Sequence, residues 1–104
     1  MKLIVAIVNS GDSSKVLTEL SKNGFGATQL ATSGGFLRSG NKTLLIGVED
    51  DKVSDVIEII KKKSHTRKQY VAPSDITVSA VHPIEVTIGG ATVFVLDVDQ
   101  FEKI

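Results

Sequence analysis

Two largely apolar runs, one near each end of the chain, most limit the fold that these 104 residues can adopt. Leu3 to Val8 is unbroken and rich in β-branched residues, which predicts a central strand that is apolar on both faces. Ala91 to Val98 has nearly the same character and predicts the last strand. A strand with one face in water would alternate apolar and polar residues. Both faces of the predicted sheet therefore need a cover.

Two helices are predicted between these runs. The first has Asp12 or Ser13 as its N-cap and ends at Asn23-Gly24, because glycine accepts the left-handed conformation at a helix C-terminus. The second follows Glu49-Asp50-Asp51, whose carboxylates suit the positive end of a helix. The apolar positions of the second helix have the spacing i, i+3, i+4 and i+7, and are Val53, Val56, Ile57 and Ile60.

The remaining extended segments are predicted at Phe25–Thr32, at Lys42–Val48 and, as a short edge strand, at Gln69–Ala72. Ile84–Ile88 alternates strictly, and Gly89-Gly90 after it predicts a two-residue hairpin turn. The order β-α-β-β-α-β with an extra hairpin arm predicts one domain, a ferredoxin-like α+β sandwich. Its two helices cover only one face of the sheet, so we expect a homo-oligomer to cover the other.

Composition excludes several function classes. Acidic and basic residues balance at 12 each, which argues against nucleic acid and anionic membranes as partners. The basic segment Lys61–Lys68 is interpreted as the solvated end of a helix. There is no cysteine, and Met1–Val5 predicts a strand rather than a secretion signal, so a cytoplasmic location is expected. No segment approaches the ~20 apolar residues that a membrane helix needs.

Residues Thr28–Asn41 contain the strongest candidate for a binding site. Gly34-Gly35 permits backbone angles that let several N–H groups converge on an anion. Phe36 and Leu37 then offer apolar surface for a base, and Arg38 offers a guanidinium for a phosphate. The alternative is a hairpin loop whose Phe36 folds into the core.

No catalytic or metal site is predicted within one chain. The two histidines, His65 and His82, have no neighbouring ligand at zinc spacing, although copies of His82 can meet across an oligomer axis. Asp50, Asp51 and Asp55 are explained by their place at a helix start, and no nucleophile is paired with a base. A non-enzymatic protein without a cofactor is therefore expected.

The run Ala31–Asn41 resembles the signature of the PII-like cyclic di-AMP receptor family. These are small cytoplasmic proteins of Gram-positive bacteria, related to the nitrogen-regulatory PII proteins. Three further segments agree with the family: Met1–Val8, Gly47-Val48 and Glu85–Leu96. The resemblance implies a ferredoxin-like homotrimer that binds cyclic di-AMP in three clefts between subunits, without catalysis, and signals to a downstream protein. The ligand contacts that it implies are Thr28, Gly35, Phe36, Leu37, Asn41, Gly47 and Phe94, with Arg38 as a further candidate.

Three segments depart from the family pattern. Members usually carry Asn-Phe-Arg where this chain has Gly24-Phe25-Gly26. The loop at 73–83 is shorter than in members. The tail ends in Phe101–Ile104, where members tend to end in Phe-His-Gln-Phe. Loss of one charge-assisted phosphate contact removes roughly 1.5–3 kcal/mol, which weakens binding about ten- to a hundredfold. Two alternatives therefore stay open. One is the same scaffold with altered or lost nucleotide binding, acting as an interaction module. The other is a small hydrolase or a metal-binding trimer that resembles the divalent-cation tolerance proteins.

Overall fold

A computed structural model describes residues 1–30, 40–64, 66–71 and 84–104, with the backbone alone described at 66–71 and 84–89. Two helices and six strands are present in these ranges, together with one turn of 3-10 helix at Asp50–Lys52. In chain order the elements are β1 (Lys2–Asn9), α1 (Ser10–Lys22), β2 (Thr28–Leu30), β3 (Asn41–Val48), α2 (Val53–Lys63), β4 (Thr66–Val71), β5 (Ile84–Gly89) and β6 (Ala91–Asp97).

Four strands form one antiparallel sheet in the order β2-β3-β1-β6. The prediction that β1 is central is confirmed, and its partners are β3 on one side and β6 on the other. The sheet and the two helices make a small α+β structure that is compatible with the ferredoxin-like fold. β2 has three residues, within the longer strand predicted at Phe25–Thr32, and the last two residues of that prediction lie outside the described ranges.

The core lies between one face of the sheet and the two helices. Side chains at even positions of β1 and β3 point to this side, because alternate residues of a strand face opposite ways. The apolar stripe predicted for the second helix packs here: Val56 and Ile60 are fully or almost fully buried, and Val53 is partly buried against the core. The buried apolar residues are Ile4, Ala6, Val8, Leu44, Ile46 and Val48 from the sheet, and Val16, Leu20, Val56 and Ile60 from the helices.

Helix α1 begins earlier than predicted. The side chain of Asn9, the last residue of β1, accepts a hydrogen bond of 2.8 Å from the Gly11 amide and is therefore the N-cap. Asp12 and Ser13, the predicted caps, lie inside the helix and are buried. The predicted end of the helix is confirmed, since Gly24 follows the last turn with φ of +82°.

The start of α2 also differs from the prediction. In the described structure no side-chain hydrogen bond from Glu49 caps the 3-10 turn that leads into the helix. The Asp50 carboxylate instead contacts the Met1 ammonium at 2.8 Å. A hydrogen bond to this ammonium lowers the pKa of Asp50, and the same bond raises the pKa of the ammonium. Asp50 thus ties Met1, which directly precedes β1, to the 3-10 turn that leads into α2.

The predicted hairpin at Gly89-Gly90 is wrong. β5 pairs with β4 in a separate two-stranded sheet, whereas β6 pairs with β1. Only Gly90, with φ of +76°, separates β5 from β6, and it redirects the chain from one sheet into the other. The apolar β6 gains more by pairing with the apolar β1 than with the alternating β5, which explains the choice.

Candidate functional site

The face of the sheet opposite the helices is largely apolar, and its described side chains are partly or fully exposed except for Thr43, which is buried. The register aligns Phe94, Val5 and Leu45 in one row across the sheet, and Leu96 and Leu3 in the next. Phe94 is 44% exposed and Leu96 is 47% exposed. We call this surface the open face. Its residues are Leu3, Val5, Ile7, Leu45, Phe94 and Leu96, with Thr28 and Gly47 towards the β2 edge.

A cavity of about 340 Å³ lies at the end of the sheet where β1 begins and β3 ends. It brings together two of the residues predicted to contact a ligand, Thr28 and Gly47, although they are 19 positions apart in the chain. Cavities of about 300–1,000 Å³ are usual for small-molecule sites. The described lining consists of Met1, Leu3, Gly26, Thr28, Leu45, Gly47, Val98 and Phe101.

Gly47 provides open space rather than a distortion of the strand. The register of β3 with β1 continues through the pair Leu3 and Gly47, so β3 has no bulge at this position. A Cβ built on Gly47 meets no atom within 4 Å, and the same is true of Gly26. The strand backbone at Gly47 is therefore accessible to a flat group entering the cavity.

The chemistry of the lining suits an uncharged ring. Thr28 supplies a hydroxyl, the two glycines expose backbone, and the other described lining residues are apolar side chains. The charged group among these described lining residues is the Met1 ammonium, which is already paired with the Asp50 carboxylate. The Lys2 ammonium, on the neighbouring part of β1, is paired with the Asp97 carboxylate, which raises the pKa of Lys2. The cavity is thus suited to a nucleobase and not to a phosphate.

Sequence reasoning missed one prominent wall of the cavity. The Val98 amide donates a hydrogen bond of 3.3 Å to the Met1 carbonyl, which turns the C-terminal tail towards the cavity. Phe101 then lies at the lining with 64% of its surface exposed. An aromatic residue in an otherwise largely polar tail, Asp99–Ile104, was the signal available in the sequence.

Two other residues predicted to contact the ligand, Asn41 and Phe94, lie away from the cavity. Asn41 begins β3 opposite Asn9, six residues from Gly47, which is about 20 Å along a strand. Phe94 shares the open face with Thr28 but lies three strands away, at about 14 Å. A single copy of the chain therefore does not place these side chains at the cavity.

The remaining predicted contacts lie outside the described residues. This holds for the glycine-rich loop with its candidates Gly35, Phe36, Leu37 and Arg38, so the anion site proposed there stays a prediction. It also holds for His65 and His82. Within the ranges that the structure describes, no group of three or more His, Cys, Asp or Glu side chains is placed to hold a metal ion.

Comparison with known proteins adds the decisive observation. The family model described as "Cyclic-di-AMP receptor" matches residues 1–104, the whole chain. The chain belongs to this receptor family. The chain is also similar to a crystal structure of a functionally unknown protein from Pediococcus pentosaceus, with 47% sequence identity and a TM-score of 0.75. That match covers 99% of this chain and 96% of the other.

Membership in the cyclic-di-AMP receptor family indicates a binding protein rather than a catalyst. Neither described helix has the length and apolarity needed to cross a membrane.

Proposed function

We propose that this protein is a non-enzymatic signalling receptor in the cytoplasm, built as one PII-like domain over residues 1–104. It binds cyclic di-AMP at the clefts between subunits of a homotrimer and transmits binding to a downstream protein through a change in its loops. The observation that carries the proposal is the cavity that joins Thr28 to Gly47 in a chain belonging to the cyclic-di-AMP receptor family.

The position of Phe94 supports a cleft between subunits. Thr28 lies on the β2 edge of the sheet and Phe94 on the β6 edge, on the same face. A head-to-tail ring places one edge of each subunit beside the opposite edge of the next. Phe94 of one copy then approaches the cavity of its neighbour. The same assembly covers the open face, whose apolar rows otherwise stay in water.

Each part of the ligand has a partner of suitable chemistry. An adenine lies against the backbone at Gly47, with the Thr28 hydroxyl at its polar edge and aromatic surface from Phe94. The phosphates, which the cavity does not suit, are assigned to the amides at Gly35–Leu37 with Arg38 and Asn41 near the same loop. Gly26 stands where family members usually carry an arginine. With only open space at this position, no cation there contacts the ligand.

The proposal is tested by calorimetric titration with cyclic di-AMP, using ATP and cyclic di-GMP as controls. We expect about one ligand per chain and selectivity for cyclic di-AMP. Gly47→Val fills the cavity and should weaken binding more than tenfold, which corresponds to more than about 1.4 kcal/mol. Thr92→Val, which places the same valine side chain on the open face outside the cavity, is the control and should bind normally.

A second variant tests the loop. Phe36→Ala combined with Leu37→Ala should abolish nucleotide binding and leave the trimer intact. Retained affinity in this variant would place the site elsewhere. Unchanged affinity in Gly47→Val would likewise remove the cavity from the site.

One observation favours a second candidate function, in which the trimer keeps its scaffold and binds a different nucleotide or none. A Cβ at Gly26 meets no atom within 4 Å, so the site lacks a side chain at a position where there is room for one. The same titration separates the candidates. An intact trimer that releases no heat with cyclic di-AMP at tens of micromolar protein would favour the second.

A further inference from the structure

An ion pair lies at the end of the cavity that contains Thr28 and Gly47. Met1 belongs to the lining, and its ammonium contacts the Asp50 carboxylate at 2.8 Å. Met1 lies two residues before Leu3, the strand partner of Gly47, which is about 7 Å along β1. Asp50 follows Gly47 by three residues at the same end of the sheet. A ring that lies against the backbone at Gly47 therefore reaches this ion pair with one edge.

Both members of the ion pair keep hydrogen-bonding capacity for a ligand. An ammonium has three donor hydrogens and a carboxylate has about four acceptor positions, so the contact between them uses only part of each. The side chains of Asp50 and Met1 are 66% and 27% exposed. Their hydrogen bond raises the pKa of the ammonium and lowers the pKa of the Asp50 carboxyl, so both groups are charged near pH 7.

The hydrogen-bonding polarity of the ion pair is fixed, unlike that of the Thr28 hydroxyl in the same cavity. A hydroxyl both donates and accepts, so Thr28 alone does not distinguish adenine from guanine. An ammonium only donates, and an ionised carboxylate only accepts. The ion pair can therefore distinguish ring edges that the hydroxyl cannot.

The edge of adenine that carries N6 and N7 has the complementary pattern. N7 accepts a hydrogen bond and the N6 amine donates one, whereas guanine presents two acceptors, N7 and O6. An ammonium beside a carboxylate offers one donor and one acceptor, which matches adenine. Guanine would place its O6 against a carboxylate oxygen, two acceptors with no hydrogen between them, and such a contact selects against the wrong ligand.

We propose that the ion pair of Met1 and Asp50 makes the cavity selective for adenine over purines that carry O6. The Met1 ammonium donates to N7 and the Asp50 carboxylate accepts from the N6 amine, while the ring lies against Gly47. Thr28, on the β2 side of Gly47, bonds the opposite edge of the ring. This inference rests on the proposed function and names the groups that select its ligand.

The test compares cyclic di-AMP, cyclic di-GMP and cyclic di-IMP, whose hypoxanthine carries O6 in place of the amine, by calorimetric titration of the full-length protein. Wild type should bind cyclic di-AMP about ten- to a hundredfold more tightly than the other two. Asp50→Asn replaces an acceptor by an amide that can also donate to O6, so it should reduce this preference about tenfold. Asp51→Asn, the same change at the adjacent carboxylate, is the matched control and should keep the wild-type preference.

A second variant moves the ammonium. One glycine inserted before Met1 displaces it by up to about 3.8 Å and should also reduce the preference. Wild-type binding of cyclic di-AMP with an unchanged preference in Asp50→Asn would overturn this inference alone. Equal loss of affinity for all three ligands in Asp50→Asn would make the pair a support of the cavity wall, which would also overturn it. Absence of cyclic di-AMP binding in wild type would instead overturn the proposed function, and this inference with it.

Discussion

The two faces of the four-stranded sheet are built from the same kinds of residues but have opposite surroundings. On the helix side, Ile4 and Leu44 are fully buried. On the open face, their neighbours in sequence, Val5 and Leu45, are only half-buried, and Phe94 is 44% exposed. Because adjacent residues of a strand face opposite ways, β1 and β3 supply both surfaces at once.

The comparison shows that hydrophobicity alone does not determine what a residue stabilises. Because side chains on the helix side are buried under α1 and α2, they stabilise the fold of a single chain. The open face is as apolar but has no described cover, and such a surface is typical of an interface. We therefore expect substitutions on the helix side to change stability and those on the open face to change assembly.

The largest effect is expected from a charge on the open face. Phe94→Asp should abolish the proposed trimer, because burial of an unpaired carboxylate costs several kcal/mol in each subunit. Val95→Asp is the matched control, since Val95 is adjacent, similarly exposed and on the helix side of β6. Sedimentation velocity should show a monomer for the first variant and an unchanged trimer for the second. If both variants sediment as trimers, the open face is not the interface.

A second pair of variants compares the faces at one point in the chain. Leu44→Ala removes a fully buried side chain and should lower the free energy of unfolding by about 2–5 kcal/mol. Leu45→Ala, one residue further on, should cost less in the isolated chain and should weaken association instead. Denaturant titrations at several protein concentrations separate the two effects. Equal, concentration-independent losses would mean that the faces do not differ in this way.

The smallest effect is expected at Asp50, which serves neither face. Asp50→Asn removes the ion pair with the Met1 ammonium and should lower Tm by about 1–3 °C near pH 7, because the pair is exposed. The pKa of Asp50 is lowered, so its contribution is lost as the pH falls below about 4. The pKa of the ammonium is raised, so the contribution is also lost as the pH rises well above about 8.

Thermal unfolding of wild type and variant across this pH range checks the prediction. Asp51→Asn, a substitution at the adjacent exposed carboxylate, which forms no ion pair among the described residues, is the control and should leave Tm near pH 7 unchanged. A difference between Asp50→Asn and wild type that does not shrink as the pH falls below about 4 would show that Asp50 acts through something other than this pair.

Local patterns in the sequence were sufficient for most individual elements. The unbroken run Leu3–Val8 predicted a strand that is apolar on both faces and central in its sheet, and β1 lies between β3 and β6 in the described sheet. The 3.6-residue spacing of Val56 and Ile60 predicted the buried stripe of α2. Gly24 marked the end of α1 through its backbone freedom, a property of one residue.

Only the tertiary structure decided which elements meet, because pairing depends on competition between distant segments. β6 joins β1 and leaves β5 to β4, which the Gly89-Gly90 pair alone did not reveal. Asn9 caps α1, although Asp12 and Ser13 are equally good capping residues, because the chain leaves β1 there. The cavity likewise follows from register, which sets Gly47 opposite Leu3, and from the path of the tail, which adds Phe101. The sequence alone determined the elements and the family signature, whereas long-range packing determined the site.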